Sequence, residues 1–126
     1  RRIRRTDHVL GEKMKTIVAG SRTIMDYRLV EKAIKESGIS VTEIVSGCAR
    51  GVDTVVIEYA KRNCVDLVMF PANWNKYGKV AGIKRNEKMA LYADALIAVW
   101  DGKSVGTKAM IEIARKKNLT VFIFHE

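Results

Sequence analysis

Five short apolar runs, each separated from the next by a segment of helical periodicity, constrain this chain more than any other feature. The runs are Lys15–Ala19, Glu43–Ser46, Leu67–Phe70, Ala95–Val99 and Thr120–Phe124. Each is near-continuous in its apolar content, the first also β-branched, the pattern of strands covered on both faces. Between them, Leu29, Val30, Ala33 and Ile34 recur at helical spacing and stop at Gly38, and Val52, Val55, Val56, Tyr59 and Ala60 form a second stripe. Two further helices are predicted over Ala81–Ala93 and from Thr107 to about Lys117, and a loop from Ala72 to Val80 carries Trp74 and Tyr77. One helix between successive buried strands predicts an α/β domain: a doubly wound parallel sheet of about five strands with helices on both faces.

The remaining composition bounds what such a domain can be. At 126 residues, 48% hydrophobic and 29% charged, the chain is one globular domain with a core of its own. No apolar run approaches the roughly 20 residues of a membrane span and none resembles a signal peptide, so the expected setting is cytoplasmic, without membrane contact. Residues 1–13 carry five cationic side chains against two acidic ones, a net +3 of the chain's +9. Met14 directly precedes the first strand, and residues 1–13 read as a tag or disordered arm outside the folded domain of residues 14–126. The remaining excess favours an anionic ligand without requiring DNA. Cys48 and Cys64 have no metal-binding or disulfide spacing; Cys64 reads as a small buried hydrophobe and Cys48 as a partly exposed loop thiol. No metal or cofactor site is expected. His8 falls in the arm and His125 at the last strand's end, so no histidine is placed for general-base work and a Ser-His-Asp triad is excluded.

The loops that leave the strands carry the chemistry. In an open parallel sheet, ligands bind beyond the carboxyl ends of the strands where strand order reverses. With order 3-2-1-4-5, that point lies between the first and fourth strands. Gly20-Ser21-Arg22-Thr23 would then face Trp100-Asp101-Gly102-Lys103-Ser104-Val105-Gly106-Thr107, with Ser46-Gly47-Cys48-Ala49-Arg50-Gly51-Val52-Asp53 beside them. Glycine lets backbone amides approach a phosphate, helix starts offer unpaired N–H groups, hydroxyls add donors, and arginine forks onto two phosphate oxygens. The structural alternative is that Gly47 and Gly51 only make turns while Asp53 and Thr107 only cap helices. Neither a Walker A nor a GxGxxG pattern is present.

These loops, together with Pro71-Ala72, Trp74, Tyr77, Ala81-Gly82, Arg85-Asn86, Met89 and Ala93-Asp94, resemble the YspA/YpsA-related branch of the SLOG superfamily. The resemblance runs over essentially all of Met14–Glu126. It implies a Rossmann-like fold, a nucleotide or nucleotide-derived ligand, a bacterial or phage setting and a homodimer, and relates the chain to DNA-processing protein A and to LOG-type phosphoribohydrolases. Arg85 and Met89 match the arginine and methionine of the LOG RKxxM pattern, with Asn86 in place of lysine, and Gly106-Thr107 match the GT of PGGxGTxxE. The glutamate of that motif falls on Met110. Glu112 lies about 200° around a helix from Met110 and points elsewhere. Glycosidic hydrolysis needs a carboxylate, and Asp53, Glu87 and Asp101 are the replacements the sequence leaves open.

The reading is therefore a binding module, with no catalytic residue assigned. Gly102, Ser104, Gly106 and Thr107 grip phosphate with Gly20, Ser21 and Arg22. Ser46, Gly47 and Gly51 form the adjoining loop, Asp53 or Asp101 meets a ribose hydroxyl, and Arg85 and Asn86 reach the ligand. Trp74 or Tyr77 either stacks on a base or covers the core. The alternatives, in order, are a phosphoribohydrolase-like hydrolase of nucleoside monophosphates and a single-stranded DNA-binding protein.

Overall fold

A computed structural model describes residues 14–126; residues 1–13, read above as a tag or disordered arm and including His8, lie outside the described residues. Five strands alternate with the helices: β1 (Lys15–Gly20), α1 (Tyr27–Ser37), β2 (Glu43–Ser46), α2 (Val52–Arg62), β3 (Asp66–Met69), α3 (Trp74–Tyr77), α4 (Ala81–Tyr92), β4 (Ala95–Trp100), α5 (Val105–Lys116) and β5 (Thr120–His125). All strand pairs are parallel and the order is β3-β2-β1-β4-β5, so strand order reverses between β1 and β4. The register there pairs Ile17 with Leu96, Val18 with Ile97 and Gly20 with Val99.

Strand alternation sorts the core into two layers. Val18, Ile44, Ile97 and Val99 face α1 and α2, meeting Val30, Ala33, Val52 and Val56. Ile17, Ala19, Val45, Leu96 and Ala98 face the other way, against Met89 and Ala90 of α4 and Met110, Ile111 and Ala114 of α5. With both faces covered, the central strands lose their solvent face, which is why β1 and β4 read as unbroken apolar runs. No helix among the described residues is long and apolar enough to cross a membrane.

Local chemistry sets the boundaries. Asp26 caps α1 by accepting from the Arg28 and Leu29 amides, and Gly38, at φ 70°, ends it where the periodicity predicted. The predicted loop from Ala72 to Val80 contains the one-turn helix α3 and a 3₁₀ turn, because the Asn73 side chain accepts from the Lys76 amide. Helix α5 starts two residues before Thr107, since Ser104 is its cap. Cys64 is exposed instead of buried: it turns the chain from α2 toward β3 in a left-handed conformation, φ 53°, which aims its side chain outward.

At the carboxyl end of β1 the backbones come unusually close. A methyl group on Gly20 would stand 2.2 Å from the Val99 carbonyl oxygen and 2.7 Å from Val52 Cγ2. Gly51, at φ 79°, would place one 2.3 Å from the Ser21 carbonyl oxygen. Backbone atoms cannot yield as side chains do. We expect Gly20→Ala to cost about 2–4 kcal/mol of stability, read as a fall in denaturation midpoint at unchanged m-value. A midpoint equal to the parent's would mean that the β1–β4 contact is not tight.

Candidate functional site

Beyond the carboxyl ends of β1, β2 and β4 runs a two-lobed groove. The first lobe, a cleft of about 170 Å³, lies at the strand-order reversal between Ala19–Gly20, the start of α5 and the inner side of α4. The second, about 370 Å³, lies over the β2 and β3 loops and is walled by Gly47, Cys48, Arg50, Pro71 and Trp74. Arg22, Ala49 and Arg85 line both lobes and form the neck between them.

Arg85 dominates the neck. It projects from the first half of α4, is half-buried, and is held by two hydrogen bonds: Nε donates to Asn86 Oδ1 at 2.8 Å and Nη1 donates to the Gly47 carbonyl. Its Nη2 group has no hydrogen-bond partner among the described residues. Asn86, itself 7% exposed, positions the guanidinium. Gly47 makes room for it, because a methyl group there would come within 2.9 Å of both Arg85 Nη1 and Asp53 Oδ2. Burial lowers the Arg85 pKa and the neighbouring Asp53 charge partly restores it. Among the described residues the ion pairs are Lys32–Glu36 and Arg62–Glu58, both on exposed helix faces, so Arg22, Arg50, Lys79 and Arg85 are tied up in neither.

Asp53 is the second residue of α2 and only 5% exposed, yet it lines the first lobe. It does not cap its own helix: Gly51 occupies the cap position without a side-chain bond, and Asp53 Oδ2 reaches back to accept from the Ala49 amide at 3.3 Å. Burial pushes its pKa up from 3.8 to about 6, against the opposing pull of the Ala49 amide and the Arg85 charge. Its backbone is fixed as well, since Ser46 Oγ donates to the Asp53 carbonyl at 2.9 Å. Of the three carboxylates open from sequence, the fold brings this one to the cleft. Glu87 lies on the outer side of α4, beside Leu91 and Lys116. Asp101 Oδ1 accepts from the Lys103 and Ser104 amides, both at 2.8 Å, and these bonds hold its pKa below the ordinary value.

That arrangement changes how the β4–α5 loop works. An acidic side chain already occupies the Lys103 and Ser104 amides, and Ser104 Oγ accepts from the Thr107 amide at 3.4 Å and from the Thr107 hydroxyl at 3.1 Å. Thr107 is thus the capped residue and Ser104 the cap. The amides left over are those of Val105 and Gly106, the first two of α5, which have no intrahelical acceptor. Ser104, Gly106 and Thr107 line the first lobe; Asp101 and Gly102 shape the loop behind it. Gly102 adopts φ 81° where the chain reverses.

Ser21, Ser46 and Gly51 also act from behind the site. Ser21 is 1% exposed and its hydroxyl accepts from the Asp101 amide at 3.2 Å. Ser46 Oγ accepts from the Cys48 amide. Gly20, Arg22, Asp53, Arg85 and Asn86 face the first lobe and Gly47 the second. Met110 is 2% exposed and packs beneath the first lobe with Met89. Cys48, in a left-handed turn at φ 64°, borders the second lobe, where burial and the Asp53 charge push its thiol pKa up, away from nucleophilic chemistry. Sequence reasoning missed Lys79 and Ile83 as lining residues, and placed Arg50 in the adjoining loop without giving it a role. Lys79 sits directly before α4 on the loop that follows β3, and that position was the available signal.

The raised Asp53 pKa has a consequence for stability. The folded pKa lies above the unfolded one, so ionisation costs the folded state between pH 4 and 6 and the full cost persists above that. The gap between 3.8 and about 6 corresponds to roughly 3 kcal/mol at neutral pH. Asp53→Asn is expected to raise Tm at pH 7–8, with the gain closing as pH falls toward 4, in thermal melts across that range. A lower Tm for the variant at pH 7 would show that the carboxylate's attractions outweigh its desolvation.

Residues 14–77 match the model of YAcAr, the YspA, cpYpsA-related SLOG family. The chain is 30% identical over 122 residues to Gene 61 protein of Mycobacterium phage D29, covering 87% of this chain and 95% of that protein. Its fold is similar to the X-ray structure of DNA processing protein A (DprA) from Streptococcus pneumoniae, with a TM-score of 0.69 at 20% identity. That likeness covers 88% of this chain and spans half the length of the other.

Proposed function

We propose that this chain, which belongs to the YspA, cpYpsA-related SLOG family, binds a nucleotide or nucleotide-derived ligand along the two-lobed groove, as a sensing, carrying or sequestering module. The observation that carries this reading is Arg85: a half-buried guanidinium, positioned by Asn86 and the Gly47 carbonyl, whose Nη2 donors turn to no protein partner among the described residues. A fixed fork of this kind suits phosphate oxygens. Arg22 and Lys79 share the first lobe, and the Val105 and Gly106 amides add the positive end of α5. Phosphate therefore belongs in the first lobe. The second offers Trp74, 53% exposed, as a surface for a base.

Gly106 supports the same reading. Nothing lies within 4 Å of where its Cβ would be, so the fold does not demand glycine there, whereas a phosphate approaching the amide does. Gly106→Ala should leave Tm at or above the parent's, since alanine is the better helix former, and weaken nucleotide binding roughly tenfold.

The direct test is calorimetric titration of nucleoside mono- and diphosphates into the parent and Arg85→Ala, preceded by mass spectrometry of small molecules released from the purified protein. Arg85→Ala should lose at least about tenfold in affinity, as expected for a charge-assisted contact, while its circular dichroism stays native. Equal affinity in both proteins would remove Arg85 from the site. A second reading, single-stranded nucleic acid, draws on Arg22, Arg50, Lys79 and Arg85 along the groove beside an exposed tryptophan. It would show itself as oligonucleotide binding with a steep salt dependence and no competition by mononucleotides.

A further inference from the structure

We infer that Asp53 reads the sugar of the ligand, making the groove selective for ribonucleotides over their 2′-deoxy counterparts. The inference rests on the nucleotide reading above and adds to it the class of sugar. It begins with a carboxylate out of place. Arg22, Lys79, Arg85 and the start of α5 favour anions, and a second anion among them repels a phosphate placed against it. Asp53 nevertheless lines this lobe while 5% exposed. What such an oxygen needs from a ligand is a donor, and the hydroxyls of a ribose are donors.

Position argues the same way. The phosphate-favouring groups of Ser104–Thr107 are confined to the first lobe and Trp74 to the second, while Asp53 lines the first lobe at its neck end, bonded to the Ala49 amide and across Gly47 from Arg85. A nucleotide has the same order: phosphate, sugar, base. The carboxylate is also fixed before any ligand arrives. Oδ2 is held by the Ala49 amide, the backbone by Ser46 Oγ, and Gly47 keeps the space beside it clear of a Cβ. Such an acceptor binds a vicinal diol with both hydroxyls donating to carboxylate oxygens and cannot re-aim when the 2′-hydroxyl is missing. A site built to bond a hydroxyl rejects the analogue that lacks it, because its own polar atom is then buried without a partner. The other two nearby carboxylates do not fill this role, Asp101 being bound to its own loop and Glu87 facing outward.

The test compares adenosine, guanosine, cytidine and uridine 5′-monophosphates with their 2′-deoxy counterparts, by titration calorimetry on the full chain, the Asp53→Asn variant and the Asp53→Ala variant. The expected result is a ribo preference of at least about tenfold for the best-bound base in the parent. In both variants the ratio should fall to within about threefold, mainly through weaker ribonucleotide binding. Equal affinity for the two sugars in the parent overturns the inference and leaves the nucleotide reading standing; this measurement needs no variant, so a misfolded substitution does not obscure it. A ribo preference that survives in folded Asp53→Ala also overturns it, assigning the discrimination elsewhere. If neither sugar series binds at millimolar concentration, the nucleotide reading falls and this inference falls with it.

Discussion

The Ser21 peptide unit is the point on which the rest of the site depends. Its amide donates to the Val99 carbonyl at 3.1 Å, and its carbonyl accepts from Ile24 and from Val52 at 3.2 and 3.4 Å. Its hydroxyl receives the Asp101 amide. One residue thereby joins the loops leaving β1, β2 and β4, the three that surround the first lobe. The joint works only because the glycines flanking it in space, Gly20 and Gly51, carry no Cβ. Where three loops converge on one buried peptide, many backbone groups need partners away from water, and Ser21 satisfies several at once. Ser21 shapes the cleft from behind: it holds the Asp101 loop, which leads into the start of α5, against the loop that leaves β1.

Around that joint the site keeps two opposed charges partly dehydrated. Arg85 and Asp53 both lose water to the fold, and each offsets part of the other's penalty without forming a close ion pair among the described residues. A contact pair would use up the donors and acceptors that face the groove. Holding the two apart, with Gly47 between them, leaves each available at the expense of stability. The β4–α5 loop shows the opposite economy. There Asp101 satisfies the turn internally, and the loop's rigidity, not its full set of amides, is what the site uses.

How much of this was legible in the sequence follows from the range of the forces involved. Periodicity reports burial, so the five strands, their order of alternation with helices and the two-faced core could be read from residues such as Ile17, Leu96 and Met110. Gly38 marked the end of α1 because backbone geometry is local. The strand-order reversal could be anticipated from topology rules. What escaped depended on which partner a polar side chain chose. Asp53, Asp101, Ser104 and Thr107 all have cap-forming side chains, and sequence does not rank a helix amide against a neighbouring loop amide. Thus Ser104, not Thr107, became the cap, and Asp101 was spent on its own turn. Asp53 reached backward to Ala49. Cys64 was misread because a left-handed turn residue points outward whatever its hydrophobicity. Lys79 went unassigned since only the tertiary fold turns it toward a groove.

The short helix α3 has a consequence for how such proteins diversify. It carries Trp74 and part of the second lobe, yet none of its residues is buried. Its single turn is held by Asn73 and ends at Gly78, so its shape is set by its own ends and not by the sheet beneath. Substitutions at its exposed positions leave the core untouched, whereas at Gly20 and Gly51, beside the first lobe, close backbone approaches leave no room for a Cβ. Selection acting on such a chain meets two different landscapes in one groove. The joint at Gly20 and Gly51 is confined by folding while α3 is free to vary, so the lining of one end of the groove can change without disturbing the other.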